Sequence, residues 1–299
     1  MTLRYRRLGA MVVLTLAAGS SVAACGGAQS SQAQSSAGAV SAACQAAQQA
    51  NPTVVGKKYK VGNSPTIPGY ESPDANDPDK IVGFDVDLMN AISECAGFTY
   101  SFVKSDFQNL VPSLQAGRLD MVISNLIASP ARAQQVDFVV YQQDQEALLV
   151  KHGNPKNITD VAALCGNSVA VFPGTVQAGA AQQQSDACVA AGKKPIEVQT
   201  YTDFNGCVQA VITGRSDATI DPVSVVAQTV QKFPAQLSGT APIPEFRSAI
   251  GIALPKSSTE VRAAVLAATK AVQDAGTEKG LFVKWKQDPG NQSAAVTLP

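Results

Sequence analysis

Arg132 is the residue whose type and place most directly promise chemistry. It follows Ser129-Pro130-Ala131, where serine is a favoured N-cap and proline a favoured first helical residue, so the spacing predicts a first helical turn holding the guanidinium. A cation there opposes the helix dipole, at a cost of roughly 0.3–1 kcal/mol when exposed. An anion facing it would remove that cost. Two kinds are available: a structural carboxylate such as Asp85 or Asp120, or the carboxylate of a ligand gripped bidentately. Both stay open on the residues alone, because strand ends of open α/β sheets are also where ligands bind. A second helix N-terminus is expected after Pro173-Gly174-Thr175, ahead of a helix over 177–184, and its free N–H groups suit an anion or an acceptor. The usual catalytic patterns are missing: no G-x-S-x-G, Walker loop, H-E-x-x-H, C-x-x-C or G-x-G-x-x-G. His152 is the single histidine, at the end of a strand, and supports neither a triad nor a metal cluster.

The elements that must position these residues follow from periodicity. Leu110, Val111 and Leu114 share a helical face and Gly117 stands where that helix would end, so a strand is expected from about Leu119 through the apolar run Met121-Val122-Ile123. The order then recurs. Val208, Val211 and Ile212 lead into Gly214-Arg215-Ser216-Asp217 and a strand, repeating Gly117-Arg118-Leu119-Asp120. Two copies of helix, Gly-Arg-x-Asp and strand predict two similar α/β lobes, each with a strand-end crevice. Further strands are expected over 59–62, 100–104, 147–150, 169–172 and 250–254, and helices over 40–50, 88–96, 261–272 and 278–286. Asp85 reads as an N-cap and Asp87 as a first-turn anion, which explains both more cheaply than a metal site. The Pro-, Asn- and Asp-rich stretch 63–80 reads as a long loop of the kind that carries function, without the spacing of a calcium loop. Trp285 reads as core rather than as a ligand platform.

Composition excludes several classes. With 23 basic and 23 acidic residues, the chain has no electrostatic footprint for nucleic acid or an anionic membrane. Arg4, Arg6 and Arg7 precede an apolar run over 8–18, too short to span a bilayer, and Val22-Ala23-Ala24-Cys25 ends it. Small residues directly before a cysteine are the bacterial lipoprotein signature. Residues 1–24 are therefore expected to be a signal peptide, with Cys25 lipidated and 25–52 holding the tether. Export permits disulfides. Cys165 with Cys188 and Cys44 with Cys95 are candidate pairs, the connectivity being left open, and Cys207 beside Val208 and Val211 reads as a buried thiol.

Three stretches taken together resemble a known family: Ile81-Val82-Gly83-Phe84-Asp85-Val86-Asp87-Leu88, the run from Leu114 to Asn125, and Pro130-Ala131-Arg132-Ala133 with Val136-Asp137-Phe138. The chain is similar, over about 59–287, to solute-binding protein family 3, the receptors of ABC importers for polar amino acids. The resemblance implies an α/β, two-lobed periplasmic-binding-protein-like (type II) fold, with a hinge of two crossing strands near 146–151 and 241–252 and an interlobe cleft. Lobe 1 would comprise 53–146 and 246–299, and lobe 2 residues 147–245. It implies that Arg132 holds a ligand carboxylate, that Phe84 flanks the ligand, and that Gly174 and Thr175 donate from the second lobe. Asn125, Ile127 and Phe172 would complete the contacts.

The chain departs from that pattern at several points. Ile67 stands where an aromatic is usual, with Tyr70 as a nearby substitute; Ile127 and Val176 stand where hydroxyls are usual. Asp221 comes one residue before the family's amine-binding aspartate, whose place holds Pro222. The implied function is a lipid-anchored receptor, exported to the outer face of the cytoplasmic membrane. It would capture an amino acid, an amino-acid derivative or another small carboxylate and deliver it to ABC permease subunits. It would act as a monomer, with no cofactor, no metal, no nucleic acid and no enzymatic activity. The alternatives are a dehydratase of cyclohexadienyl or arogenate type on the same fold, and a ligand sensor for a separate signalling partner.

Overall fold

The Gly-Arg-x-Asp repeat becomes a repeat of strand order. The computed structural model describes residues 41–298. In chain order its elements are α1 (Ala42–Ala50), β1 (Lys58–Asn63), β2 (Ser72–Pro73), β3 (Ile81–Val82), α2 (Phe84–Ala96), β4 (Thr99–Lys104), α3 (Leu110–Gln115), β5 (Met121–Val122), α4 (Pro130–Ala133) and β6 (Asp137–Lys151). There follow β7 (Ser168–Val171), α5 (Val176–Ala190), β8 (Glu197–Thr200), α6 (Phe204–Thr213), β9 (Ala218–Pro222), α7 (Val223–Lys232), β10 (Leu237–Gly239), β11 (Ile243–Leu254), α8 (Thr259–Asp274), α9 (Thr277–Lys284) and β12 (Gln292–Leu298).

One sheet runs β4-β1-β5-β11-β6-β9-β7-β8. In its first half β1 is parallel to β4 and β5, and β11 is antiparallel to β5. In its second half β7 is parallel to β8 and β9, and β6 is antiparallel to β9. Each lobe thus has three parallel strands closed by one antiparallel strand, and the two closing strands pair with each other as the crossing strands of the hinge. The long strand β6 changes partners midway: Asp137 to Gln145 face β11 residues 254 to 247, while Glu146 to Val150 face β9 residues 222 to 218. The final strand β12, which periodicity did not indicate, returns to β6 with Val296 opposite Val140 and Leu298 opposite Phe138.

The repeated motif has one physical job in both lobes. Gly117 (φ 67°) and Gly214 (φ 75°) end α3 and α6 in the left-handed region, where a Cβ is strained. The aspartate three residues on then clamps the lobe's first strand. Asp120 Oδ2 accepts the Lys60 N–H at 2.7 Å while the Asp120 N–H donates to the Lys60 carbonyl at 2.9 Å. Asp217 repeats this on β7, accepting the Ser168 N–H at 2.8 Å and donating to the Ser168 carbonyl at 3.0 Å. There is one disulfide on each side: Cys44–Cys95 ties α1 to α2 of the first lobe, so the stretch 42–50, expected to be tether, is a bonded helix, and Cys165–Cys188 joins the segment before β7 to α5, while Cys207 is a buried free thiol. Cys25 and the signal segment lie outside the described residues.

Two local expectations are corrected. Asp85 is not an N-cap: Gly83 holds that position, and Asp85 sits inside the first turn with its carboxylate buried. The loop over 63–80 is partly ordered by β2 and β3, which pair antiparallel. Trp285 is half-buried against the core, its Nε1 donating to Asp87 at 2.6 Å.

Candidate functional site

Past β5 the chain turns sharply. Asn125 has φ 43°, and its N–H donates to Asp85 Oδ2 at 2.6 Å, which anchors the turn to the start of α2. The turn leads to Ser129, whose hydroxyl accepts the Arg132 N–H at 3.4 Å as an N-cap, with Pro130 opening the four-residue helix α4. Arg132 is buried, with 8% of its surface exposed. Its Nη1 donates to the Ile127 carbonyl at 2.7 Å and its Nη2 to the Gly174 carbonyl at 2.6 Å. The guanidinium stands 5.5 Å from the centre of the Phe107 ring, which packs edge-on against Phe172. Neither Asp85 nor Asp120 meets it, and none of the four ion pairs among the described residues includes it. Burial pushes its pKa down to about 10, so it remains charged at neutral pH.

Opposite Arg132 lies the second lobe. Thr175 caps α5, accepting the Ala178 N–H at 3.2 Å and donating its hydroxyl to the Phe172 carbonyl at 2.9 Å. Gln177 Nε2 donates to Glu146 Oε2 at 2.9 Å, and the Ser248 hydroxyl donates to Glu146 Oε1 at 2.6 Å. The Thr219 hydroxyl donates to Asp221 Oδ2 at 3.0 Å. Burial raises both carboxylates: Glu146 rises to about 7, and Asp221 goes well above the usual carboxylate range, with Glu146 adding to the push.

These walls enclose a cavity of about 20 Å³, lined by Ile67, Phe107, Asn125, Ile127 and Arg132 on one side and Phe172, Thr175, Gln177, Asp221, Pro222 and Val225 on the other. An amino acid is far larger, so a ligand must part the walls, and the Arg132 bond to Gly174 is the contact that it would replace. A larger open groove of about 790 Å³ lies at β6, the start of α7 and the segment over 286–294. Its charges, Arg247, Lys286, Asp144 and Asp288, have mixed signs. The smaller cavity is the candidate site because a buried cation without a carboxylate partner faces it.

Of the expected contacts, Arg132, Asn125, Ile127, Phe172, Thr175 and Asp221 come together here. Three do not behave as expected. Phe84 is fully buried, with its ring 4.5 Å from that of Phe282 and 6.1 Å from that of Tyr141, and it belongs to the core behind the site. Tyr70 is also fully buried and does not replace an aromatic at Ile67. The N–H groups of Phe84 and Asp85 donate to the Gly69 and Tyr70 carbonyls, and this pins the loop to the start of α2 with the Tyr70 ring inside. Its hydroxyl accepts from Gln142 Nε2 at 2.5 Å and meets the Ser224 hydroxyl at 2.8 Å. Gly174 contributes its carbonyl, not its N–H, to Arg132; a Cβ there would stand 2.7 Å from Gln108 Cα.

Phe107 and Gln177 were missed by sequence reasoning. Gln177, in the first turn of a helix at a strand end, carried a usable signal; Phe107 carried none. The remaining single residue of note, His152, lies exposed in the turn after β6, its N–H donating to the Gln236 carbonyl at 2.7 Å.

Residues 59–288 match the family model of bacterial extracellular solute-binding proteins, family 3. The arginine-binding protein ArgT of Corynebacterium glutamicum is 27% identical over 232 residues, covering 77% of this chain and 74% of that protein. The histidine-binding periplasmic protein of Salmonella typhimurium is 27% identical over 237 residues, covering 77% and 87%. Among solved structures, an ancestral arginine-binding protein bound to arginine superposes with a TM-score of 0.68 at 29% identity, over 76% of this chain and 97% of that one. These relatives are binding proteins, as a two-lobed fold with a buried arginine at the junction of the lobes would serve. The protein is therefore a binding protein rather than an enzyme, and it belongs to the bacterial extracellular solute-binding proteins, family 3.

Proposed function

We propose that this protein is the substrate-binding lipoprotein of an ABC importer, exported and anchored through Cys25. It captures an amino acid or amino-acid derivative between lobe 1 (53–146 and 246–299) and lobe 2 (147–245) and delivers it to permease subunits. The observation that carries the reading is Arg132: a buried guanidinium that donates only to carbonyls and meets no carboxylate among the described residues, at the junction of the lobes. A ligand carboxylate is the stronger acceptor and would replace the Gly174 carbonyl, drawing the lobes around the ligand. Asn125, Ile127, Phe172, Thr175 and Asp221 form the remaining contacts. Arginine and histidine are the first candidates, since the relatives' names carry them.

The test is a thermal-shift and calorimetric screen of L-arginine, L-histidine, other amino acids and small carboxylates, repeated on Arg132→Ala. A ligand at a hundredfold its dissociation constant stabilises by about 2.7 kcal/mol. Truncating one partner of a buried charge pair costs about 2–5 kcal/mol. A ligand that shifts the wild type and fails to shift Arg132→Ala supports the receptor. A ligand that binds both proteins equally well removes Arg132 from the site.

A further inference from the structure

Two carboxyl groups lie behind the first-lobe wall of the pocket, and no cation answers them. Glu71 and Asp85 are both fully buried, and neither belongs to an ion pair among the described residues. They hold neighbouring residues of one turn: Glu71 Oε1 accepts the Ser124 hydroxyl at 3.0 Å, and Asp85 Oδ2 accepts the Asn125 N–H at 2.6 Å. Each also ties in a second segment. The Glu71 N–H donates to the Ile67 carbonyl at 2.9 Å, Ser124 Oγ accepts the Ser64 N–H at 3.0 Å, and Asp85 Oδ1 accepts the Tyr141 hydroxyl of β6 at 2.7 Å. Ile67, Asn125 and Ile127, which these segments carry, line the cavity, and the turn runs on into the short helix that holds Arg132.

Two ionised carboxylates side by side in a dry interior would carry both a desolvation cost and a mutual repulsion. The remaining oxygen of Glu71, Oε2, is buried and meets no donor. A proton of its own, donated to Asp85 within hydrogen-bonding reach, gives that oxygen a partner and removes one of the two charges. We propose that Glu71 and Asp85 share one proton as an acid–carboxylate pair, and that this pair positions the Ile67 loop and the Asn125 turn, and through them Arg132, for ligand binding. The inference goes beyond the receptor reading and rests on it only for the effect on affinity.

Glu71 is the acid and Asp85 the carboxylate. Asp85 already accepts a phenolic O–H and a backbone N–H, which favour its charged form, whereas Glu71 accepts one serine hydroxyl. Burial holds Glu71 well above the usual carboxylate range, and the charge of Asp85 adds to the push. The titratable groups packed around the pair are the phenols of Tyr70 and Tyr141, both buried and both raised by burial, so they stay neutral and supply no countercharge. Neither carboxyl group lines the cavity, so both are positioning residues that act on the ligand through Ser124 and Asn125.

The shared proton is read without ligand, by infrared difference spectroscopy of the purified protein near neutral pH. The wild type should show the carbonyl stretch of a buried neutral carboxylic acid that Glu71→Gln lacks. Amide hydrogen exchange follows the turn. The Ser64 and Asn125 N–H groups should stay protected in Glu71→Gln, whose side chain accepts from Ser124 and donates to Asp85 as the acid does, and exchange faster in Glu71→Leu. Calorimetry with L-arginine, at a temperature where each variant is folded, should place Glu71→Gln within about twofold of the wild type and Glu71→Leu about tenfold weaker, the size of one lost hydrogen bond in a charged network. A purely structural role would lower the melting temperature of Glu71→Leu and leave its affinity alone. Absence of the acid band from the wild type, or its persistence in Glu71→Gln, overturns the shared proton. Wild-type affinity, or wild-type exchange at both N–H groups, in a folded Glu71→Leu overturns the positioning role; if that variant does not fold, a tenfold loss of affinity in Glu71→Gln does so. Binding of no amino acid by the wild type sinks the receptor reading alone, because the spectrum and the exchange need no ligand.

Discussion

The two lobes use one scaffold and diverge at the point where chemistry begins. Asp120 and Asp217 clamp β1 and β7 through the same pair of backbone contacts, each behind a left-handed glycine that ends a helix. Beyond the clamped strand they part. After β5 the chain makes the Asn125 turn and a capped short helix, which brings a buried guanidinium to the cleft. The strand β9 ends in Asp221 and Pro222 and runs directly into α7, whose N-cap Pro222 offers no side-chain cap, and the wall there is the Asp221 carboxyl group. One lobe offers a buried guanidinium and the other a buried carboxyl group. The repeat therefore carries structure, and the lobes differ in the few residues after it.

The comparison is tested hardest at the disulfides, one per lobe. In the chain-entropy treatment, closing 51 residues between Cys44 and Cys95 stabilises by about 4 kcal/mol, and closing 23 between Cys165 and Cys188 by about 3 kcal/mol. Cys44→Ser with Cys95→Ser should therefore lower stability slightly more than Cys165→Ser with Cys188→Ser in denaturant titrations. Equal loss of ligand affinity is not expected, because Cys188 lies on α5, whose N-terminus lines the site, while α1 is remote from it. If the first pair of substitutions weakens binding more than the second, the lobes are coupled through α1 in a way this fold does not explain.

The clamps come next. Asp217 also accepts from the Ser168 hydroxyl at 2.9 Å and from Lys156 Nζ at 2.8 Å, whereas Asp120 accepts from the Lys60 N–H and has no ion pair among the described residues. Removing a single hydrogen bond costs about 1 kcal/mol net. Asp120→Ala should cost about 1 kcal/mol and Asp217→Ala about 2–3 kcal/mol by equilibrium unfolding. The same cost for both would show that the strand clamp alone matters and that Lys156 adds nothing, as many surface pairs do.

What could be read from the sequence was whatever is decided locally. The Arg132 turn was legible because its cap and its proline lie within three residues of it, and the repeat was legible because glycine and aspartate hold fixed places around a helix end. Phe84 and Tyr70 were misread because their burial depends on backbone bonds between a loop and a helix start, which no local pattern records. The contacts of Glu146 were illegible for the same reason at longer range: Gln177 lies 31 residues away and Ser248 102. The strand β12 was hidden because its partner, β6, had been read as only a short strand near its C-terminal end, and its own sequence alternates weakly.

The smallest effects sharpen the comparison most, because they concern two positions at which the chain departs from its family, Ile127 in the cavity wall and Val176 at the start of α5. Ile127 in the first lobe and Val176 in the second stand where hydroxyls are usual, one beside Arg132 and the other opening α5. Val176→Thr keeps the volume and adds a donor at the helix N-terminus. If the ligand's carboxylate reaches that terminus, the substitution should tighten L-arginine binding by about 0.5–1.5 kcal/mol, a factor of roughly 2–12 in dissociation constant, with little change in melting temperature. Ile127→Ser adds a hydroxyl too, but it removes a side chain that is 8% exposed, so its gain in affinity comes with a loss of stability. Calorimetry on both variants separates the cases. Tightening by both means that the carboxylate lies between the lobes, within reach of either. Tightening by Ile127→Ser alone keeps the carboxylate on the first lobe. Weakening by both means that the apolar walls are themselves selective, and that the ligand presents hydrocarbon where the family presents polar groups.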